Sequence, residues 1–237
     1  QNNPVYAAMI EAMDTAVGDV LTSLEETEQD KNTVVIFLSD NGGASEVTSN
    51  EPLRAGKCFL YEGGIRVPMI VSWPNKIKAG IVTNVPVTST DFFPTILDLA
   101  GLPQAPEKHL DGVSFLPVLE GGTYAKEDFF WHYPHYEGGF EPASAIRSGD
   151  WKLIQFYEES RFELYNLKED RGEHNDMATQ YPVKAQELRD KVYAWRKKVN
   201  ATEPTPNSNF NPLKTQNYRL NYKNKFKDIN QFKTRNN

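Results

Sequence analysis

The residues with the clearest chemical potential are Asp40 and Asn41, which follow the apolar run 34–38 and precede Gly42 and Gly43. A carboxylate and an amide oxygen are hard ligands that suit Ca²⁺ or Mg²⁺. The two glycines let the chain turn where a strand ends, so that both side chains can face one ion. The alternative is a strand-ending turn in which Asp40 and Asn41 only hydrogen-bond the backbone. Two ligands are too few for useful affinity, so a metal site would need further donors from elsewhere.

Lys57 is the second candidate, in a loop that lies between two glycine-marked turns. A lysine beside a metal at a strand end could bind an anionic oxygen of a substrate, and the alternative is a solvated surface lysine. Arg54 and Arg66 are weaker candidates for the same role. Cys58, the single cysteine, could be a nucleophile or a redox thiol. It has no histidine nearby in the sequence, which favours a small buried apolar residue instead.

Residues 131–136 (WHYPHY) combine two of the four histidines, His132 and His135, with three aromatic side chains. Aromatic rings with polar tips suit a sugar or an aryl group. A structural aromatic cluster is the alternative for the same residues.

The elements that must position these candidates begin with an amphipathic helix over 5–27. Its apolar stripe predicts core packing and comprises Met9, Met13, Val17, Val20, Leu21 and Leu24. The run 34–38 (VVIFL) lacks alternation, which indicates a strand buried on both faces, as in a parallel sheet. A second strand is predicted over 67–73 and a short helix over 91–100. In doubly wound sheets ligands bind beyond the carboxyl ends of strands, where the loop 39–43 lies.

From residue 143 the hydrophobic period changes to two, which predicts antiparallel strands at 143–147, 151–157 and 161–165. A helix over 182–199 then covers this sheet. The predicted fold class is α/β: part of a doubly wound mixed sheet flanked by helices, with a small C-terminal subdomain of antiparallel sheet plus helix. The expected domains are 1–125 for the α/β core and 126–237 for this subdomain, including a polar basic tail.

Composition excludes several classes of protein. The net charge of −6 argues against a dedicated nucleic-acid binder, and the sequence has no apolar run long enough for a membrane span. A single cysteine excludes a disulfide scaffold. The tail 201–237 is basic, with seven Lys or Arg against two Asp or Glu, and is interpreted as a polar extension or as an arm that binds a polyanion. The chain does not begin with Met and shows no signal peptide, so we expect it to be processed, trimmed or incomplete.

Four segments together resemble the second half of the formylglycine-dependent sulfatases, in both order and spacing. They are VVIFLSDNGG (34–43), LRAGKCFLYEGGIRVP (53–68), TDFFPTILDLAGL (90–102) and DGVSFLPVLE (111–120). Residues 131–136, 145–157 and 163–178 are similar to that family's C-terminal subdomain, especially in its bacterial, carbohydrate-acting branch. The resemblance covers roughly residues 5–215.

This resemblance implies the fold of the alkaline phosphatase and sulfatase superfamily. It implies that Asp40 and Asn41 are Ca²⁺ ligands and that Lys57 contacts the sulfate group. It places His135, and as a second choice His132, against the sugar of a sulfated carbohydrate. In this family a hydrated formylglycine made from cysteine attacks sulfur, and the proteins are periplasmic or secreted.

One departure from the family pattern is large. The nucleophile motif Cys-x-Pro/Ala-x-Arg is absent, because residues 59–62 (FLYE) follow Cys58. We therefore expect the nucleophile to lie in a missing N-terminal half, and the present chain to be inactive alone. The alternatives are a sugar-binding descendant without turnover, or a phosphate or phosphonate monoester hydrolase of the same superfamily. The metal sites of the latter are richer in His and Asp than the pair found here.

Overall fold

The computed structural model describes residues 3–137, 140–158 and 161–211. The helices and strands, in chain order, are α1 (Pro4–Glu26), β1 (Val35–Leu38), α2 (Glu62–Ile65), β2 (Met69–Ser72), α3 (Phe92–Leu99), α4 (Leu116–Leu119), β3 (Asp128–Tyr133), β4 (Ala143–Ser148), β5 (Trp151–Phe156), β6 (Phe162–Asn166) and α5 (Pro182–Lys198). Single 3₁₀ turns lie at 30–32, 89–91 and 106–108. The helices and sheets confirm the α/β class, and every helix and strand predicted from the sequence is present.

The chain forms two compact units, which interleave along the sequence. The four-stranded unit contains Ser39–Val67 and the chain from Asp128 onward. The two-stranded unit contains Asn3–Leu38 and Pro68–Glu127. The loops that carry Asp40 and Lys57 therefore belong with the C-terminal sheet, although strand β1 precedes them directly in sequence.

In the two-stranded unit β1 pairs with β2, and the pairing is antiparallel. The predicted burial of this strand on both faces is wrong within this chain, since Phe37 is 43% exposed and its partner Ile70 is 63% exposed. The predicted core packing of α1 is wrong as well, because none of its residues is buried and Met9 is 64% exposed. The physical reason is the same for both elements: this unit places too few other elements over their apolar faces.

Asp91 organises the rest of the two-stranded unit at the start of α3. Its fully buried carboxylate accepts hydrogen bonds from the backbone N–H of Thr88 (2.8 Å) and of Val113 (3.0 Å). The hydroxyl of Tyr124 and the ammonium of Lys126 also bond to it, at 2.5 and 3.0 Å. One carboxylate thus ties the loop-rich segment 111–126 to the helix, and it is compensated by both charge and hydrogen bonds.

The four-stranded unit is an antiparallel sheet in the order β3-β4-β5-β6. Residues alternate between its two faces, and each face packs against a different partner. One face packs against α5 and contributes Ile146, Leu153 and Leu164. The other face packs against the segment with Leu60 and Tyr61, and contributes Ala145, Ile154, Phe156 and Tyr165. The sequence analysis did not predict β3, because its residues DFFWHY do not alternate between apolar and polar.

A buried cluster of charges joins this second face to α2. The ammonium of Lys152 on β5 is fully buried, 2.9 Å from a carboxylate oxygen of Glu62 and 2.8 Å from one of Glu173. Arg66 forms an ion pair with the other oxygen of Glu62 at 3.0 Å. The backbone N–H of Glu62 donates to the carboxylate of Glu173 at 2.6 Å. Glu173 therefore binds Lys152 and also holds the first turn of α2. Side chains from three distant parts of the sequence are therefore held by one buried lysine.

The pKa values of the two carboxyl groups are shifted in opposite directions. Burial opposes ionisation of Glu62, but Lys152 and Arg66 outweigh it and lower the pKa of Glu62 below its usual range. Burial raises the pKa of Glu173, and the charge of Lys152 compensates only in part. Glu62 therefore stabilises the fold at neutral pH, and this contribution is lost as the pH falls through its lowered pKa.

Within the part of the chain that the structure describes, no helix is both long and apolar enough to cross a membrane.

We expect Lys152→Met to lower the free energy of unfolding by about 3–5 kcal/mol, because it leaves Glu173 buried without a cation and Glu62 paired with Arg66 alone. Urea denaturation of the complete protein at pH 7 measures this value. Lys191→Met is the matched control, since Lys191 forms a partly exposed pair with Asp128 and its loss should cost less than about 1 kcal/mol. Equal effects of the two substitutions would contradict the role assigned to Lys152.

Candidate functional site

The candidate site is built on backbone segments that approach too closely for any side chain. A Cβ atom placed on Gly42 would lie 1.7 Å from the carbonyl oxygen of Gly63, and one on Gly64 would lie 2.0 Å from that of Phe59. A Cβ on Gly56 would lie 2.3 Å from the carbonyl oxygen of Gly43. Only glycine fits at such positions, which explains why the sequence places glycines in each of these segments.

Backbone hydrogen bonds join the same segments. The N–H of Gly42 donates to the carbonyl oxygen of Gly64 at 2.9 Å, and the N–H of Lys57 donates to that of Gly43 at 3.1 Å. The second bond connects the loop that carries Asp40 and Asn41 directly to the loop that carries Lys57. The structure therefore brings the two loops with candidate residues together.

Asp40 and Asn41 lie at the rim of the packed glycines. The side chain of Asp40 is exposed and that of Asn41 is half-buried. The hydroxyl of Ser39 donates to the carbonyl oxygen of Asn41 at 2.8 Å, which closes the turn after β1. The oxygen donors of these two side chains match the ligand chemistry of Ca²⁺. Among the described residues no group of three His, Cys, Asp or Glu side chains could hold a metal ion, so a metal bound by these two donors would need further ligands.

Lys57 is exposed, and its neighbours have unusual backbone angles. Ala55 and Cys58 adopt φ values of 60° and 76°, the left-handed region that residues with a side chain seldom occupy. Surrounding hydrogen bonds must hold this shape, and the N–H of Phe59 donates to Gly56 across the turn at 3.1 Å. The backbone therefore presents the Lys57 side chain from a tightly constrained loop.

The two histidines of the aromatic segment lie in different environments. His132 is on β3 and shares the α5 face of the sheet with its register partner Ser144, whose hydroxyl lies 2.9 Å from Nδ1. Its Nε2 lies 2.8 Å from the carbonyl oxygen of Thr202, so both ring nitrogens are bonded within the chain. His135 follows the strand, is exposed, and packs its ring 4.0 Å from that of Tyr133. Tyr133 packs against the core on the opposite face, the one that faces Leu60 and Tyr61.

Comparison with known proteins identifies the family. Residues 55–198 match the family described as N-sulphoglucosamine sulphohydrolase, C-terminal, and residues 1–102 match the family described as Sulfatase. The first match covers more than half of the chain. The chain belongs to the sulfatase family. The resemblance inferred from the sequence motifs, including the assignment to the C-terminal portion, is thereby confirmed.

Individual relatives agree with this assignment. A sulfatase of Formosa agariphila is 39% identical over 83% of this chain and 40% of its own length. An N-acetylglucosamine-6-O-sulfatase of Bacteroides thetaiotaomicron is 32% identical over 84% of this chain and 36% of its own length. The crystal structure of Ps i-CgsB in complex with k-i-k-neocarrahexaose superposes with a TM-score of 0.73 at 29% identity, covering 97% of this chain and 49% of that one. The sulfatase chain thus spans less than half the length of the relatives that it matches.

The two arginines that the sequence analysis considered as anion ligands are used by the sulfatase fold itself. The guanidinium of Arg54 lies 3.8 Å above the ring of Tyr61 and donates to the hydroxyl of Tyr165 at 2.7 Å. Arg66 is paired with Glu62, as described above. Both guanidinium groups are thus engaged by other side chains of this chain.

Cys58 is half-buried, and the pKa of its thiol is raised. Burial is the main cause, Glu137 adds to it, and Lys57 opposes it. A raised pKa keeps the thiol protonated at neutral pH, and a protonated thiol is a poor nucleophile. This agrees with the expectation that Cys58 is not the reacting group.

Sequence reasoning missed the residues that hold the site together. Asn50, Glu62, Lys152 and Glu173 connect the glycine-packed loops to each other or to the sheet. No local pattern marks them, since the hydrogen-bond partners of Lys152 are 90 positions away or lie beyond β6. A lone Asn seven residues after Gly43 could have been found only through the structure.

We expect Gly42→Ala to destabilise the protein by about 1–3 kcal/mol or more, because its Cβ collides with the backbone at Gly63 and one segment must move. Thermal denaturation of the complete protein and protease sensitivity of its loop 39–43 measure the effect. The control is Gly18→Ala in α1, where nothing lies within 4 Å of the added atom and helix propensity favours alanine. If both variants melt like the wild type, the packing described here is wrong.

Proposed function

We propose that the protein that carries this chain hydrolyses a sulfate ester of a carbohydrate. The observation that carries the proposal is the hydrogen bond between the loops of Asp40–Asn41 and Lys57, in a chain of the sulfatase family. Two of the relatives support a sugar substrate: one is described as an N-acetylglucosamine-6-O-sulfatase, and another is bound to a carrahexaose.

In this proposal Asp40 and Asn41 hold a Ca²⁺ ion together with ligands from other parts of the polypeptide. When bound, the ion supplies positive charge close to the sulfate oxygens, which lowers the cost of attack on an anionic ester. The donor types fit the ion, as shown above. The nucleophile of the proposal is a formylglycine outside the residues of this sequence.

Lys57 supplies the charge that this chain itself brings to the reaction. Its ammonium bonds to a sulfate oxygen and stabilises the negative charge that develops on the sulfate oxygens as sulfur is attacked. The constrained backbone on both sides of Lys57 limits the number of orientations the side chain must lose on binding. Its role is electrostatic, since an ammonium group is a donor without acceptor capacity.

His135 is the proposed sugar contact. It is exposed beside Tyr133 and lies 3.7 Å from the carboxylate of Glu137, so a ring nitrogen and an aromatic surface are offered together. His132 was the second choice of the sequence analysis for this role. Its two bonded ring nitrogens and its position on the α5 face favour His135 instead.

The exposed apolar surface of the two-stranded unit has a place in this proposal. It is formed by α1, β1 and β2 and includes Met9, Met13, Phe37 and Ile70. We propose that further polypeptide of the same protein packs on it, because the relatives are more than twice as long as the matched region. The proposed location is the periplasm or the cell exterior, where polymeric sulfated carbohydrates are accessible.

Residues 1–237 produced alone should therefore bind a dye for apolar surfaces, such as ANS, and unfold without a sharp transition. The reason is that exposed apolar side chains of this number are rare on an independent protein surface. Fluorescence with ANS and differential scanning calorimetry are the measurements. A cooperative melt with negligible dye binding would show that this surface needs no cover.

Substitutions in the two loops test the catalytic proposal. In the complete protein Asp40→Ala should abolish Ca²⁺ binding and turnover together, and Asn41→Ala should weaken the metal less because it removes a neutral oxygen. Lys57→Ala should retain Ca²⁺ and lower turnover about 10²–10³-fold, the usual effect of losing one preorganised contact to developing charge. Metal content by mass spectrometry and turnover of a sugar sulfate separate these effects.

Cys58→Ser is the matched control for Lys57→Ala, since it alters the next residue and should leave turnover nearly unchanged. Full activity of Lys57→Ala, or Ca²⁺ retained by Asp40→Ala, would refute the roles proposed for these residues. A protein that binds the sugar but never releases sulfate would instead identify a non-catalytic descendant of the family.

A further inference from the structure

We propose that Asn50 is a positioning residue of this site: its side-chain amide fixes the Asp40–Asn41 loop and the Lys57 loop in one arrangement. The inference rests on the sulfate-ester hydrolysis proposed above. It adds a residue that contacts neither metal nor substrate and acts through the backbone.

Three hydrogen bonds of the Asn50 amide carry the inference. Its Oδ1 accepts from the backbone N–H of Gly43 at 2.8 Å. Its Nδ2 donates to the carbonyl oxygen of Gly43 at 2.8 Å and to that of Ala55 at 3.1 Å. One amide therefore satisfies both polar groups of Gly43 and bridges to a second loop.

The residues that Asn50 bonds are close in sequence to the proposed metal ligands and to Lys57. Gly43 follows Asn41 by two positions, and Ala55 precedes Lys57 by two positions. The carbonyl oxygen of Gly43 also accepts from the N–H of Lys57, so it receives donors from both Asn50 and the lysine loop. Loss of the Asn50 amide would loosen the two loops at their shared contact.

The amide is also enclosed by backbone. A Cβ on Gly56 would lie 2.6 Å from Nδ2 of Asn50, and one on Gly43 would lie 3.0 Å from Oδ1. A side chain in place of either glycine would therefore displace the Asn50 amide. The shape and the donor pattern of asparagine are both required, since Asp would direct a carboxylate oxygen at two carbonyl oxygens.

The consequence of a displaced loop is large in a reaction that depends on position. A shift of about 1 Å in a reacting group can lower a rate about 10²-fold. Residues that orient the ligands of a metal typically change affinity or activity about 10–100-fold when they are substituted. Both effects apply here, because Asn50 supports the proposed metal ligands on one side and Lys57 on the other.

The experiment compares Asn50→Ala, Asn50→Asp and Asn166→Ala in the complete protein. Asn166 is the matched control, since its Oδ1 accepts a hydrogen bond from the nearby N–H of Lys168 at 3.1 Å, away from both loops. For both Asn50 variants we expect kcat at saturating Ca²⁺ to fall about 10–100-fold and the apparent Ca²⁺ affinity to fall about tenfold, with KM little changed. Asn166→Ala should retain the wild-type kcat and Ca²⁺ dependence.

The outcomes separate the inference from the function on which it rests. A wild-type protein without sulfatase activity overturns the proposed function. An active wild type whose Asn50 variants keep their kcat and Ca²⁺ dependence overturns the positioning role, even if their Tm is lowered. Asn50→Asp, which matches asparagine in shape, serves as the test if Asn50→Ala does not fold.

Discussion

The burial of the Lys152 ammonium is the constraint on which the four-stranded unit depends. A charge in this position needs carboxylates of its own, and Glu62 and Glu173 reach it from segments that precede and follow β5 in the sequence. Glu62 lies in α2, directly after the loops of the candidate site. The ion pairs therefore fix where α2 meets the sheet, and α2 fixes the glycines that pack against Gly42.

The candidate site combines a rigid backbone with exposed side chains. Close approach of glycines and the Asn50 amide leave the backbone of the two loops little freedom. Asp40 and Lys57 project from this base into solvent. Such an arrangement suits electrostatic catalysis, in which charges must already be in place before the substrate arrives.

Sequence analysis predicted both the presence and the burial of elements whose apolar faces pack against other residues of this chain. Alternation gave β4, β5 and β6, and the stripe with Leu188 and Val192 gave α5. The same reasoning was wrong about the burial of α1, because a stripe shows that a face is apolar and does not show what covers it. It also grouped His132 with His135, although strand alternation and the end of β3 separate them. The buried state of Lys152 had no local signal, since in WKLIQF it resembles an ordinary polar position of a strand.

Because of the glycine packing, some parts of the four-stranded unit can change in sequence during evolution more easily than others. At Gly42, Gly63 and Gly64 the Cβ of any other residue would collide with backbone atoms. These positions must therefore remain glycine, whatever the substrate. The side chains of His135 and Tyr136 are exposed, and they contact Tyr133 and Glu158 respectively. With the sugar contact proposed for His135, substitutions near this residue can change the preferred sugar while the loops of Asp40 and Lys57 stay unchanged, which makes His135 and Tyr136 the natural positions for a library in directed evolution.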